Sequence, residues 1–450
     1  MKNNKPLIII AIILLNVLVV YIIGQSLLGK ASSYDLKVAE AREYAEKELC
    51  SKAIAAYDEA LIMKDSLALR LEMIDVYKKG LEIGEFTNTY DVVTAVTLAV
   101  DAYRNDPKVY EAACDLFLEY GKYEDCANLL MQARDLHVSS DALTEYLSKV
   151  RYQYVKYYAM YTDVLPGFDN TYTVASNGTY TFLNDEASPN MRGGYVYATS
   201  FSNGYAFVQT LNADGSTRSF VINKSGQRQA YYDVETSSGV GKATDKDGNE
   251  LLLLACKVGD SYKYFDLDGK ELFGDYKFAG RFRNGVAAVQ EKNGDWKFIN
   301  GTGKTVTDKT FSDVILNEFD ECAPRGLVFA KEGDKYHLYD YKEIKQIGDF
   351  SCDGAKAFVS DIAAFKSGDL WGFVDSTGKI VIEAKYEDAK SFSNQLGAIY
   401  GGGSWMFINP DGDVVINETF EDVTYLSDIG ICFVKTKGYW SYLKFYYTGK

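Results

Sequence analysis

Apolar residues along this chain follow three periods in turn, and each predicts a different kind of element. From Leu7 to Leu28 the run LIIIAIILLNVLVVYIIGQSLL carries no charge and only three strongly polar side chains, Asn16, Gln25 and Ser26. At 1.5 Å per helical residue such a run crosses a hydrocarbon core of about 30 Å, which predicts a transmembrane helix over 7–28. A cleaved signal peptide is the competing reading. It needs a shorter apolar stretch ending at a small-x-small site, which Leu27-Leu28-Gly29-Lys30-Ala31 does not supply. Lys2, Lys5 and the amino terminus place residues 1–6 in the cytoplasm and the bulk of the chain outside, by a margin that Lys30 and Lys37 narrow.

Between Ser33 and residue 154 the text is rich in alanine and poor in glycine, with the three-four spacing of amphipathic helices packed in pairs. Ala53, Tyr57 and Ala60 form one small-large-small face. Ala95, Ala99 and Ala102 form a second, and Cys126, Leu130 and Ala133 a third, following the turn Tyr120-Gly121-Lys122-Tyr123. Small residues there let neighbouring helices approach closely.

From residue 155 to 450 the helical period gives way to short β-branched and aromatic runs punctuated by Gly and Asn, the pattern of strands in hairpins. A unit of roughly 35 residues recurs, read here as three strands and a loop. The residue opening the middle strand falls at Tyr180, Ser219, Tyr262, Trp296, Tyr336, Trp371, Trp405 and Trp440, in steps of 39, 43, 34, 40, 35, 34 and 35 residues. Glycine returns at a fixed offset in five following turns, at Gly226, Gly269, Gly303, Gly378 and Gly412, where a tight hairpin demands positive φ. The Tyr336 copy lacks it and reads as the weakest interior unit. A second marker is an aromatic followed by two polar residues: Phe201-Ser202-Asn203, Phe282-Arg283-Asn284 and Phe392-Ser393-Asn394.

The first unit starts in mid-repeat, with Phe168-Asp169-Asn170 and Tyr180-Thr181-Phe182 matching the later part of a copy, and the last unit stops before its third strand. A strand near Val155 to Met160 can supply what the last unit lacks. This predicts a closed β-propeller-like ring of about eight short units, with no free sheet edge at the seam. The alternative is an open β-solenoid, because a step near 35 residues is short for a four-stranded blade.

Two resemblances follow from these residues. The segment 107–138, with Tyr110, Ala113, Cys114 and Phe117 on one helix and Cys126, Leu130 and Ala133 on the next, resembles the tetratricopeptide repeat; the earlier step from Ala53 to Ala95 is longer, with the loop 82–91 taking up the excess. The β segment resembles the bacterial WG-repeat family in Trp371-Gly372, Phe373-Val374-Asp375, Gly378-Lys379, Tyr386 and Phe392. The repeat-defining residues are Trp296, Trp371, Gly372, Trp405, Trp440, Gly303, Gly378, Phe282 and Phe392. The resemblances imply a protein-interaction surface in a bacterial cell envelope.

Composition narrows the rest. A net charge of −15 without a basic patch argues against nucleic acid as a partner. Seven cysteines without a C-x-x-C pair give neither a disulfide framework nor a zinc site, and most read as small buried apolar residues. His137 and His337 lack an evident nucleophile partner. Asp245-Lys246-Asp247-Gly248 and Asp266-Leu267-Asp268-Gly269 have calcium-like chemistry but not the remaining ligands of such a loop. Gly401-Gly402-Gly403-Ser404 lacks the lysine of a phosphate loop. Asp320-Glu321 and Glu383 are carboxylates among 63, so their presence selects nothing. No cofactor or metal is implied and no enzyme is expected. The expectation is a single-pass protein of the bacterial cytoplasmic membrane, its bulk extracytoplasmic, acting as a binding or scaffold protein. The alternatives are a cell-wall glycan or peptidoglycan module and an envelope enzyme working on one ring face.

Overall fold

Helix caps set the first unit. Ser66, Asp106 and Ser140 each accept a hydrogen bond from a backbone N–H of the first turn they precede, which satisfies donors that a helix start leaves open. The computed structural model describes residues 33–448 apart from 166, 168–170 and 185. The expected span at 7–28, the cytoplasmic end and the Phe168-Asp169-Asn170 marker lie outside the described residues; among those described, no helix is long and apolar enough to cross a membrane. The chain divides between Arg151 and Tyr152 into two compact units.

The first unit has seven helices among the described residues: α1 (33–46), α2 (Cys50–Met63), α3 (Leu67–Glu82), α4 (Tyr90–Tyr103), α5 (Pro107–Glu119), α6 (Tyr123–Asp135) and α7 (Asp141–Val150). Ala53, Tyr57 and Ala60 are buried as their spacing predicts, and so are Tyr110, Ala113, Cys114 and Phe117 against Cys126, Leu130 and Ala133. The face read on α4 is corrected. Ala102 is exposed and Ala95 half-buried, and the buried stripe is Val92, Val96, Ala99 and Val100. Valines spaced by four residues bury more apolar surface than the alanines, and the helix turns them inward.

The second unit is a closed ring of eight antiparallel blades: 163–183, 197–232, 236–276, 278–300, 313–352, 354–386, 388–408 and 422–445, numbered 1 to 8 here. The N-terminal strand Tyr154–Tyr161 completes blade 8 by pairing antiparallel with its last strand, Tyr439–Phe445. Buried side chains form one apolar cluster at each blade junction. Phe182 with Phe220 joins blade 1 to 2, and the series continues around to Phe433 and Trp440 with Tyr172 and Val174, joining blade 8 to 1. Eight junctions for eight blades leave no open end, so the ring is closed and the solenoid alternative falls away.

The short step is explained by short inner strands. In six blades the first strand has only two or three residues, and blades 1, 4 and 7 replace the fourth strand with isolated bridges such as Trp405 to Phe420. The three-strands-and-a-loop reading therefore holds for those blades, while the other five have four strands. Nor is the Tyr336 copy the weak one. Blade 5 has all four strands, and its turn holds Ile344, 2% exposed, at φ +52 where other copies place glycine. Asp340 accepts three backbone N–H groups there, from Lys342, Glu343 and Lys345, so side-chain hydrogen bonds stabilise a turn that a glycine does not provide.

Candidate functional site

The repeat-defining residues are structural wherever the ring places them. Phe282 and Phe392 are 1% exposed; Trp296, Trp405 and Trp440 are buried and Trp371 half-buried at the head of the third strand of their blades. Gly303 and Gly378 hold φ +78 and +87 as the hairpin requires. At Gly372 a Cβ would stand 2.6 Å from the Ile382 carbonyl oxygen and 2.7 Å from the Ala384 nitrogen, so the glycine of the Trp-Gly pair exists to let the fourth strand come close. Lys356, just after the first strand of blade 6, and Lys390, on the first strand of blade 7, lie with Nζ 4.9 Å from the ring centroids of Trp371 and Trp405. Two of the three tyrosine markers, those of blades 1 and 5, instead donate through the hydroxyl to Asp163 or Asp313 of the first strand.

The place where side chains from many blades converge is the centre of the ring. Two spaces of about 160 and 170 Å³ meet there; the first is bordered by residues in or between the first and second strands of blades 1 and 4 to 8, the second chiefly by the first strands of blades 1 to 3. Glu318 and Phe319 border both. They come from the loop 315–326 of blade 5, twelve residues long where the corresponding loops of blades 4 and 6 have six. This loop divides the central space.

Local chemistry explains the loop's shape. Asn317 Oδ1 accepts the N–H groups of Phe319 and Glu321 at 3.0 and 2.9 Å, and Asp320 takes φ +60, a conformation that aspartate tolerates better than most residues. Beneath it, Arg281 of blade 4 donates through Nε and Nη2 to Glu321 Oε1 at 3.1 and 2.9 Å, with side-chain exposures of 0% and 1%. Asn317 Nδ2 donates to the other carboxylate oxygen, and the Arg281 guanidinium lies 5.0 Å from the Phe319 ring centroid. A buried charge pair whose carboxylate also accepts from Asn317 fixes one geometry, because loss of either partner strands the other charge away from water.

At the tip, the Glu318 carboxyl lies near the Tyr425 hydroxyl of blade 8. The Glu318 side chain is exposed to the central space, but the protein crowded around that space desolvates it and raises its pKa, and Lys390 and Lys356 pull it only partly back. Burial raises Tyr425 well above the usual phenol value, with Glu318 adding to the shift. Asp320 is raised by burial too, against the pull of Arg281. Around this tip stand Arg283, Arg325, Ser427 and Asp428, with Tyr172, Phe358 and Phe433 as an apolar floor. Such a mixture suits recognition of a mixed polar and apolar segment.

Sequence reasoning passed over Asp320-Glu321 as two carboxylates among many. The available signal was the 40-residue step from Trp296 to Tyr336, which contains the extra loop residues. Other candidates resolve into turns. Asp245 and Asp266 accept the N–H groups two and four residues on, and Gly402 and Gly403 form the two-residue turn between Gly401 and Ser404. His137 ends α6 at φ +59, and His337 lies beside Gln346 in blade 5; neither lines the central space. Among the described residues no His, Cys, Asp and Glu cluster has the arrangement of a metal site.

The family described as WG containing repeat matches residues 264–296, 371–400 and 405–440. Each match begins in the third strand of one blade and runs into the next blade, so sequence repeat and blade are out of phase. No curated protein matches the sequence. Among solved structures, similarity extends to BamB from Moraxella catarrhalis (12% identity, 65% of this chain and 99% of that one, TM-score 0.45). It extends also to a eukaryotic initiation factor (11%, 64% and 90%, 0.37) and to the WD40 beta propeller domain of Doa1 (13%, 64% and 95%, 0.30).

Proposed function

This chain is a WG-repeat protein, and from that premise we propose that it is a binding scaffold held at a bacterial membrane by residues 7–28. In this reading the ring and the helices lie on the extracytoplasmic side, and the ring centre recognises a protein partner. The observation that carries the proposal is the blade-5 loop. A buried ion pair and an Asn-capped turn hold Glu318 and Phe319 rigidly at the meeting point of the blades, which is the preorganisation that binding rewards. Phe319 and Tyr425 supply the amphipathic contact area that anchors protein interfaces.

The test is photo-crosslinking in cells. A benzophenone amino acid at position 319 is compared with one at Tyr231, an exposed position on the last strand of blade 2. The proposal expects a discrete crosslinked protein at 319 that is absent at 231 and lost in Glu318→Ala. The same pattern at both positions, or none, contradicts it. Protease added to intact cells tests the topology separately, since residues 33–448 are cut from outside only if they lie there.

A glycan reading has one observation in its favour. Tyr157 of the closing strand, 43% exposed, stacks on Tyr442 at 4.9 Å and 13°, a flat aromatic pair of the kind that sugar rings cover. Binding of purified cell-wall glycan by the full chain, abolished in Tyr157→Ala, would favour that reading.

A further inference from the structure

All seven cysteines are buried as thiols, and five of them behave as the small apolar residues their sequence context suggests. Cys114 and Cys126 differ. They lie on the two facing helices of the α5–α6 hairpin, and both are 0% exposed. The remaining five are spread over α2 and blades 3, 5 and 8; the two within blade 5, Cys322 and Cys352, belong to different apolar clusters.

The hairpin geometry accounts for the meeting. The helices are joined through Tyr120, Gly121 at φ +65 and Lys122, and the Lys122 N–H donates to the Phe117 carbonyl at 2.7 Å, which closes the turn tightly. Cys114 lies seven residues before Gly121 and Cys126 five after it. In an antiparallel pair with a rise of 1.5 Å per residue, these positions differ in height by only about 3 Å. Both project into the same buried seam, between Ala113 and Phe117 on one helix and Ala127 and Leu130 on the other. The small residues of that seam let the two backbones approach.

We propose that Cys114 and Cys126 are a disulfide-forming pair that locks α5 to α6 when the chain meets a disulfide oxidant. The chemistry is ordinary exchange. One cysteine thiolate attacks a sulfur of a small disulfide such as oxidised glutathione and expels one glutathione thiolate. The second cysteine then attacks the protein sulfur of that mixed disulfide and expels the other. The protein loses two protons and two electrons, and the oxidant becomes two thiols. The pair is not poised for attack in the closed hairpin. Contact with Cys126 and burial together hold the Cys114 thiol far above the ordinary range, so exchange proceeds while the hairpin is folding or open.

The experiment therefore refolds the purified full chain from urea in a buffer of oxidised and reduced glutathione, which gives the oxidant access to every thiol. Samples are quenched in acid, denatured, alkylated with N-ethylmaleimide and weighed. The expected product has five alkylated cysteines, and its digest contains a reductant-sensitive species joining the peptides of Cys114 and Cys126. The double variant Cys114→Ser, Cys126→Ser should show all five remaining thiols alkylated under the same conditions. Seven alkylated cysteines in the wild type, or a bond joining any other pair, overturns the proposal. Because the test uses purified chain, its outcome does not depend on which side of the membrane the helices occupy.

Discussion

An asparagine in left-handed backbone performs two functions in each of three blades. Asn203, Asn284 and Asn394 take φ of +54, +55 and +47 and are followed by a second residue of positive φ, the geometry of a two-residue hairpin turn. Each also donates through Nδ2 to a carbonyl of the following blade, Val240, Ala323 or Ser427, at 2.9 to 3.0 Å. The sequence marker of an aromatic and two polar residues was legible, but its purpose was not, because the carbonyl it binds lies more than thirty residues away. Asn284→Ala should lower stability by roughly 1–3 kcal/mol in urea titration, combining a lost hydrogen bond with a strained backbone. An unchanged midpoint would show that the staple carries no weight. Glu318 gives a pH-dependent expectation. A carboxyl whose pKa is raised on folding favours the folded chain at low pH, and that contribution is lost as pH rises through the folded value. Glu318→Gln mimics the protonated form, so its melting temperature should exceed wild type at pH 7, with the gain vanishing as pH falls below the ordinary 4.5.

At the scale of elements, strands and turns were readable wherever one local rule acted alone. Glycine at positions 226, 269, 303, 378 and 412 does adopt positive φ, because a tight turn needs it whatever surrounds it. The helical faces of α2, α5 and α6 were readable for the same reason, whereas on α4 alanines and valines competed and neighbouring helices decided. The central loop was not readable. It rests on Arg281 and Glu321, forty residues apart in sequence and in contact only through the ring. Removing one partner should be costly: Glu321→Ala is expected to destabilise the chain by about 3–5 kcal/mol, and a loss under about 1 kcal/mol would mean the loop relaxes around the orphaned arginine. Gly372→Ala should cost about 1–3 kcal/mol through its contacts with Ile382 and Ala384. Alanine at Gly401, where a Cβ meets only the tip of Met406 at 4.0 Å, is the matched control and should cost far less.

At the scale of the whole molecule, one displacement of phase organises the ring. The repeat begins in mid-blade, so the first strand of the β segment is left over to complete the last blade. That strand is held beyond its ladder. Lys156 Nζ and Tyr154 Oη both donate to Glu418, at 2.5 and 2.7 Å, and Ser441 Oγ bonds both the N–H and the carbonyl of Ala159 where the strand bulges. The Glu418 pKa is lowered, chiefly by the Lys156 hydrogen bond. A lowered carboxyl stabilises the fold above its unfolded value, so this part of the seam weakens as pH falls below the ordinary 4.5. The closed ring in turn lets blade 5 present its loop to a centre shared by all blades. The measurement that tests it most directly is amide hydrogen exchange on the full chain at neutral pH, followed in peptides covering 154–161 and 439–445. The closed ring requires both peptides to be protected alike and to lose protection together in rising urea. Rapid exchange across 154–161 while 439–445 stays protected would contradict it.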